Sequence, residues 1–148
     1  MNYLLDSNTV SDLYDKWSKD HAKISQKLCS LPDSDTVYVS ILTFYELEYG
    51  WANAPHDKKG VIRQKIREVQ QDFEMFPLSL QGAKVFGDLK KIVKDSRSPS
   101  KENMKKYNVD LMLAATAISV NCILVSADTL YTDLQRLHQT LQLTDWTN

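Results

Sequence analysis

The first dozen residues restrict the fold more than any other stretch of this 148-residue chain. A short apolar run at residues 3–5 indicates a buried β-strand, which ends at the carboxylate of Asp6 just before an amphipathic helix begins. In an open parallel α/β sheet, ligands bind beyond the carboxyl ends of the strands. Asp6 therefore lies where such proteins carry out chemistry, although an aspartate at this point can also serve only as a helix N-cap.

Short apolar strands and helices alternate along the rest of the chain. Further strands are predicted at residues 36–39, 75–78, 123–125 and 141–143. The run 108–119 is alanine-rich and apolar nearly all round, which is typical of a helix buried against a sheet. The alternation predicts an α/β fold with a mainly parallel sheet, formed by one domain over residues 1–148.

Composition excludes several classes of protein. The chain is 43% hydrophobic and 25% charged and has no apolar run of about 18 residues, the length that a membrane span needs. No signal-peptide pattern opens the chain, so we predict a cytoplasmic protein without membrane association. Its net charge of −1 argues against a generally basic nucleic-acid binder. The two cysteines and three histidines have no metal-ligand spacing.

Four acidic residues are predicted to meet at one edge of the sheet. Asp6 and Asp128 follow strands, whereas Glu46 and Asp110 lie in the first turn of predicted helices. Each has a local alternative: Asp110 favours a helix N-terminus, and Glu46 completes capping-box spacing with Thr43. Clustered carboxylates repel one another, and a divalent cation relieves that repulsion. An all-oxygen ligand set favours Mg²⁺ or Mn²⁺.

Residues 96–107 form a polar, basic stretch without strand periodicity. We predict a mobile loop here, with Lys101, Lys105 and Lys106 as candidates for contact with the phosphates of a nucleic-acid backbone. The alternative is an ordinary solvated helix face.

The segments around the four acids, residues 4–13, 40–47, 110–117 and 124–128, resemble in order the signature segments of PIN-domain ribonucleases. Within that family they are most similar to the VapC-type toxins of bacterial toxin–antitoxin pairs. The resemblance implies a three-layer α/β/α sandwich and endonucleolytic cleavage of RNA that depends on Mg²⁺ or Mn²⁺. It also implies a homodimer and a cognate antitoxin that covers the acidic groove.

The same resemblance assigns roles to individual residues. The catalytic set is Asp6, Glu46, Asp110 and Asp128. Three of these, Asp6, Asp110 and Asp128, are the expected metal ligands. Asn8 and Ser126 occupy positions at which the family has polar side chains that support the metal site.

The chain departs from the family pattern at two places. A basic stretch, residues 101–106, stands where the family commonly has a short glycine-containing approach to the third acid. Residues 129–131 replace the frequent acid-plus-phenylalanine ending, which leaves Asp133 as an alternative to Asp128. Two other functions stay open. One is a non-catalytic PIN-like scaffold that binds RNA or protein. The other is a phosphohydrolase with Asp6 as nucleophile, although Asn8 stands where that class has a second aspartate.

Overall fold

A computed structural model describes residues 1–148, and its centre is a five-stranded sheet in which every neighbouring pair is parallel. The strand order is β3-β2-β1-β4-β5, so the first strand of the chain occupies the middle. The strands are β1 (Asn2–Leu5), β2 (Thr36–Ser40), β3 (Glu74–Phe76), β4 (Ile123–Val125) and β5 (Gln142–Thr144). Leu5 pairs with Val39 on one side and with Val125 on the other, which aligns the carboxyl ends of the three central strands.

Eight α-helices connect and flank these strands. They are α1 (Ser7–Leu13), α2 (His21–Ser30), α3 (Ile41–Ala52), α4 (Lys59–Asp72), α5 (Leu80–Arg97), α6 (Lys101–Lys106), α7 (Asn108–Ser119) and α8 (Thr129–Leu137). A 3₁₀ turn, His56–Lys58, precedes α4. None of these helices has the length and apolar character needed to cross a lipid bilayer.

Alternate side chains of β1 enter two separate hydrophobic cores, because successive side chains of a strand point to opposite faces of the sheet. Leu4 packs with residues of α5, α7 and α8 on one face. Tyr3 and Leu5 pack with residues of α1, α2 and α4 on the other, together with Trp146. These contacts confirm the predicted three-layer α/β/α sandwich, and the sheet is parallel throughout.

The buried character predicted for residues 108–119 is also confirmed. Helix α7 buries Leu111, Leu113 and a run from Ala114 to Ala117, and it packs along α5. Small alanine side chains allow the helix to approach its neighbours closely. The first turn of α7 is consequently held at a fixed position at the edge of the sheet.

The prediction of a loop over residues 96–107 is wrong for most of that stretch, because residues 96–97 end α5 and residues 101–106 form α6. Helix α5 ends where Ser98 adopts a left-handed φ of 45°, and α6 begins three residues later, at Lys101. The hydroxyl of Ser100 caps α6 by accepting a hydrogen bond from the backbone N–H of Asn103, at 3.2 Å. A capped, solvated helix has the same polar composition as a loop, which is why composition indicated the wrong structure.

Candidate active site

Asp6 lies directly beyond the central strand and is only 5% exposed. One carboxylate oxygen accepts a hydrogen bond from the backbone N–H of Thr9 at 2.8 Å, and the other accepts one from the Ser126 hydroxyl at 2.5 Å. Asp6 thus caps α1 and also presents its carboxylate at the carboxyl edge of the sheet. Burial raises the pKa of this carboxyl, the two hydrogen bonds lower it in part, and the charge of Asp128 raises it again.

Asp128 is the N-cap of α8, and its Oδ1 accepts a hydrogen bond from the backbone N–H of Leu130 at 2.9 Å. Its own backbone N–H donates to Oγ of Ser126 at 3.0 Å. The Ser126 hydroxyl therefore links two of the acids, because it also donates to Asp6. Both acids and the exposed Asn8 line one cleft of about 320 Å³.

Asp110 lies in the first turn of α7, as predicted. Burial raises the pKa of its carboxyl to about 6, and the negative charges of Asp128, Glu46 and Asp6 contribute to that rise. The charges of the other three predicted acids therefore act on Asp110.

The Tyr131 hydroxyl donates a hydrogen bond to the backbone carbonyl of Asp110 at 3.0 Å and so holds the first turn of α7 in place. Tyr131 itself is 1% exposed. Burial and the charges of Asp110, Asp6 and Asp128 hold the pKa of the phenol well above its ordinary value, so the hydroxyl keeps its proton and donates.

Glu46 is exposed and projects from the second turn of α3. The first-turn position and the capping-box pairing with Thr43 are both wrong, because Ser40 caps this helix and accepts from the backbone N–H of Leu42 at 3.1 Å. The Glu46 carboxylate instead accepts a hydrogen bond from the Ser7 hydroxyl at 2.6 Å. The hydroxyls of Ser7 and Thr43 are 3.0 Å apart, so Ser7 joins α1 to α3 beside the acid.

Sequence reasoning did not assign a role to Ser7, Thr9 or Tyr131. Ser7 and Thr9 stand within the segment that pointed to Asp6, which is the one signal that favoured them. Tyr131 belongs to the stretch where the chain departs from the family pattern. Its partner is 21 residues away in sequence, and local periodicity carries no information on such a pair.

Asp133, the alternative to Asp128, points to a different set of partners. Its carboxylate binds the guanidinium of Arg97, and Arg136 lies 3.7 Å away. Arg97 also donates to the Tyr107 hydroxyl at 3.2 Å. Asp133 therefore belongs to a surface network between α5 and α8.

The donor set at this edge fits a hard cation. Nowhere in the chain do three or more His, Cys, Asp or Glu side chains stand close enough to enclose a metal ion by themselves. Mg²⁺ does not need such an enclosure, because it keeps several waters and takes only one or two carboxylates. The clefts lined by Asp6, Asp128 and Glu46 contain no cysteine or histidine, so oxygen atoms are the available ligands there.

The largest groove of the molecule, about 1000 Å³, lies elsewhere. It is formed by residues of α1, α3 and α4 beside β2 and β3, and none of the four acids lines it. The Tyr14 hydroxyl donates to Asp72 at 2.5 Å within this groove. By volume alone this groove would be the candidate active site, but the electrostatically coupled acids indicate that the active site lies at the carboxyl edge of the sheet.

Comparison with known proteins agrees with this geometry. The model of the PIN domain family matches residues 3–137. No curated protein matches this chain significantly in sequence.

Similar solved structures include the VapBC-1 complex of nontypeable Haemophilus influenzae, with a TM-score of 0.78, 24% identity and 100% of both chains covered. The VapBC2 complex of Rickettsia felis, bound to a promoter DNA fragment, has a TM-score of 0.76, 21% identity and 99% of both chains covered. The FitAcB structure of Neisseria gonorrhoeae has a TM-score of 0.76, 20% identity and 97% of both chains covered. At these identities the likeness establishes a shared fold.

Proposed function

The chain belongs to the PIN domain family, and from that premise we propose that it is a metal-dependent endoribonuclease that hydrolyses phosphodiester bonds of RNA. The observation that carries this proposal is the placement of Asp6 and Asp128 in one cleft at the carboxyl edge of the sheet, where Ser126 links them and where both are electrostatically coupled to Asp110. Such coupling costs stability in the absence of a cation, since each carboxylate disfavours ionisation of the others.

We assign Asp6, Asp110 and Asp128 as the residues that hold Mg²⁺ or Mn²⁺, in part through waters that the ion keeps, because no three carboxylates stand close enough to enclose it by themselves. The bound ion supplies charge neutralisation at the scissile phosphate and a water of lowered pKa. Ser126 orients two of these ligands at once, through its hydrogen bonds to the Asp6 carboxylate and from the Asp128 backbone. Asn8 lines the same cleft and is available to contact the substrate or its waters.

Glu46 takes a separate role in this proposal. Ser7 engages one of its carboxylate oxygens, which fixes the side chain while Oε2 remains free to accept a proton. The side chain is exposed, and its negative charge contributes to the raised pKa of Asp110. Glu46 is therefore proposed as the proton acceptor during hydrolysis, oriented by the hydroxyl pair of Ser7 and Thr43.

The α6 lysines are proposed to contact the RNA backbone. Lys101, Lys105 and Lys106 are exposed and form no ion pair, in contrast to Lys91 on α5, which binds Asp95 at 2.8 Å. The helix leads directly into α7, which carries Asp110, so its positive charges lie on the approach to the site. Uncompensated lysines near an acidic centre attract phosphates that the acids alone would repel.

We further propose that the chain is the toxin of a toxin–antitoxin pair. The similar structures are VapBC and FitAB assemblies, several of them complexes with DNA, and this supports an antitoxin that covers the acidic groove. A homodimer, a cytoplasmic location and a single catalytic domain over residues 1–148 belong to the same proposal.

The decisive experiment is RNA cleavage by the purified chain, in Mg²⁺ or Mn²⁺ and in EDTA, with Asp6→Asn beside the wild type. Cleavage that needs the metal and disappears in the variant supports the reaction and the site together. Metal-independent cleavage, or full activity of the variant, contradicts the assignment. Failure both to cleave RNA and to bind Mn²⁺ favours the non-catalytic scaffold.

A further inference from the structure

We propose that Lys65 on α4 forms a subsite for a backbone phosphate of the RNA strand, next to the phosphate that is cleaved. This inference rests on the proposed nuclease function and adds a path for the substrate across the surface. It concerns the cleft lined by Glu46, whereas the α6 lysines line neither this cleft nor that of Asp6 and Asp128.

Two polar clefts of about 320 Å³ each lie along α1, a volume at the lower end of ligand-binding clefts. Asp6 and Asp128 line the first cleft, and Glu46 and Lys65 line the second. Asn8 and Ser11, on one face of α1, line both, so the two clefts adjoin there and are together called the groove.

The charges in this groove are nearly all of one sign. Its acidic lining residues are Asp6, Asp12, Asp20, Asp128 and Glu46. Lys65 is the only basic residue that lines either cleft. A phosphodiester strand in this groove meets repulsion from the carboxylates, and Lys65 supplies the one opposite charge that the chain itself contributes.

Lys65 is also free to bind, unlike Arg63 and Lys59 of the same helix. Arg63 makes two hydrogen bonds to the Glu48 carboxylate, at 2.6 and 2.9 Å. The Lys59 ammonium donates to the Ala52 carbonyl at 3.3 Å and lies 4.2 Å from the centre of the Trp51 ring. Lys65 is half-buried and has no ion-pair or hydrogen-bond partner in the chain. Its ammonium therefore has no partner within the chain, and a phosphate oxygen can accept its hydrogen bonds.

The position of Lys65 separates its role from that of the metal ligands. It lines the cleft of Glu46 and is absent from the cleft that contains Asp6 and Asp128. The phosphate that it contacts is therefore a neighbour of the scissile one. A contact of this kind persists from the bound substrate to the transition state, so its loss raises KM and leaves kcat unchanged.

The test compares Lys65→Gln with Arg67→Gln, a change of equal charge at an exposed residue of the same helix that lines neither cleft. The probe is a short fluorescein-labelled single-stranded RNA of mixed sequence, and its binding is followed by fluorescence anisotropy in EDTA over a range of NaCl concentrations. We expect Lys65→Gln to lower the slope of log K against log[NaCl] by about 0.7, the value for one lost phosphate contact on a single strand. Arg67→Gln and Lys65→Arg are expected to keep the wild-type slope.

Thermal unfolding checks that each variant is folded, and steady-state cleavage in Mn²⁺ separates KM from kcat. An unchanged slope for Lys65→Gln, in a protein that binds and cleaves the RNA normally, overturns the subsite and leaves the nuclease proposal intact. A wild-type chain that neither binds nor cleaves the RNA overturns both. Equal loss of slope in Lys65→Gln and Arg67→Gln shows a diffuse charge effect and also overturns the subsite.

Discussion

Substitution of Asp110 by asparagine is expected to stabilise the metal-free protein while removing its activity. The pKa of this carboxyl is about 6 in the folded chain against an ordinary value of 3.8. A difference of about 2 pKa units corresponds to about 3 kcal/mol of unfolding free energy lost at neutral pH. Asp110→Asn removes this loss, but it also removes a favourable negative charge from the N-terminus of α7, which costs about 0.3–1 kcal/mol. The net gain of Asp110→Asn is about 2 kcal/mol, or about 4–8 °C in Tm for a chain of this size.

The gain has a defined dependence on pH. The pKa of Asp110 is higher in the folded than in the unfolded protein, so the folded protein keeps this proton to higher pH. The destabilisation caused by the ionised carboxylate is therefore absent below about pH 3.8. It grows as the pH rises from 3.8 to about 6 and is complete above that value. The stability difference between variant and wild type is therefore small near pH 4 and largest above pH 7.

Thermal unfolding in EDTA, followed by circular dichroism from pH 4 to pH 8, measures this difference. Asp88→Asn is the matched control, because Asp88 is an exposed acid on α5 that lies outside the cluster. Addition of Mn²⁺ should stabilise the wild type and narrow its gap to the variant, since a ligand that binds only the folded state raises stability. A variant less stable than the wild type at pH 8, or a gap that does not change with pH, refutes the reasoning.

Three further changes test the supports of the site. Tyr131→Phe removes the hydrogen bond to the Asp110 carbonyl, and we expect it to lower the unfolding free energy by about 0.5–1.5 kcal/mol in chemical denaturation. It should also weaken Mn²⁺ binding measured by calorimetry, and a wild-type Mn²⁺ affinity would contradict this. Ser126→Ala removes a hydrogen bond that lowers the pKa of Asp6, so the acid limb of the pH–rate profile should move to higher pH. An unchanged profile would show that this hydrogen bond does not control the ionisation of Asp6. Charge reversal of the three α6 lysines should weaken RNA binding and flatten its salt dependence by up to about 0.7 per lysine in the log–log slope; unchanged binding would mean that α6 is only a solvated helix.

Local patterns in the sequence were sufficient for most of the architecture. The apolar run that ends at Asp6 predicted the central strand, and the alanine-rich stretch that begins near Asp110 predicted the buried helix α7. Both features depend on side-chain periodicity over a few residues, which a sequence displays directly. The segment that forms α6 shows the limit of this reasoning, because a short helix and a loop share the same polar composition and differ here through the cap at Ser100.

The positions of Asp6, Asp110 and Asp128 were also evident from the sequence, because each follows a strand or lies in the first turn of a helix at one edge of a parallel sheet. The hydrogen-bond partners of the acids were not evident from the sequence. Glu46 had a plausible local partner in Thr43, yet its hydrogen bond goes to Ser7, which lies 39 residues earlier in the chain. A local pairing rule favoured the wrong partner, because the helix begins at the strand end and the rule assumed a later start.

The sequence by itself determined the strands, most of the helices and the acidic residues near their ends, because these depend on contacts between near neighbours. Only the tertiary structure decided how the acids are held. The sheet order places β1 between β2 and β4, and this brings Ser126 to Asp6 across 120 residues of chain. The same packing brings Tyr131 beneath Asp110 and raises the pKa of both groups by burial. Such contacts exist only after the layers have packed, since burial and Coulomb interactions depend on distance in space and not on separation along the chain.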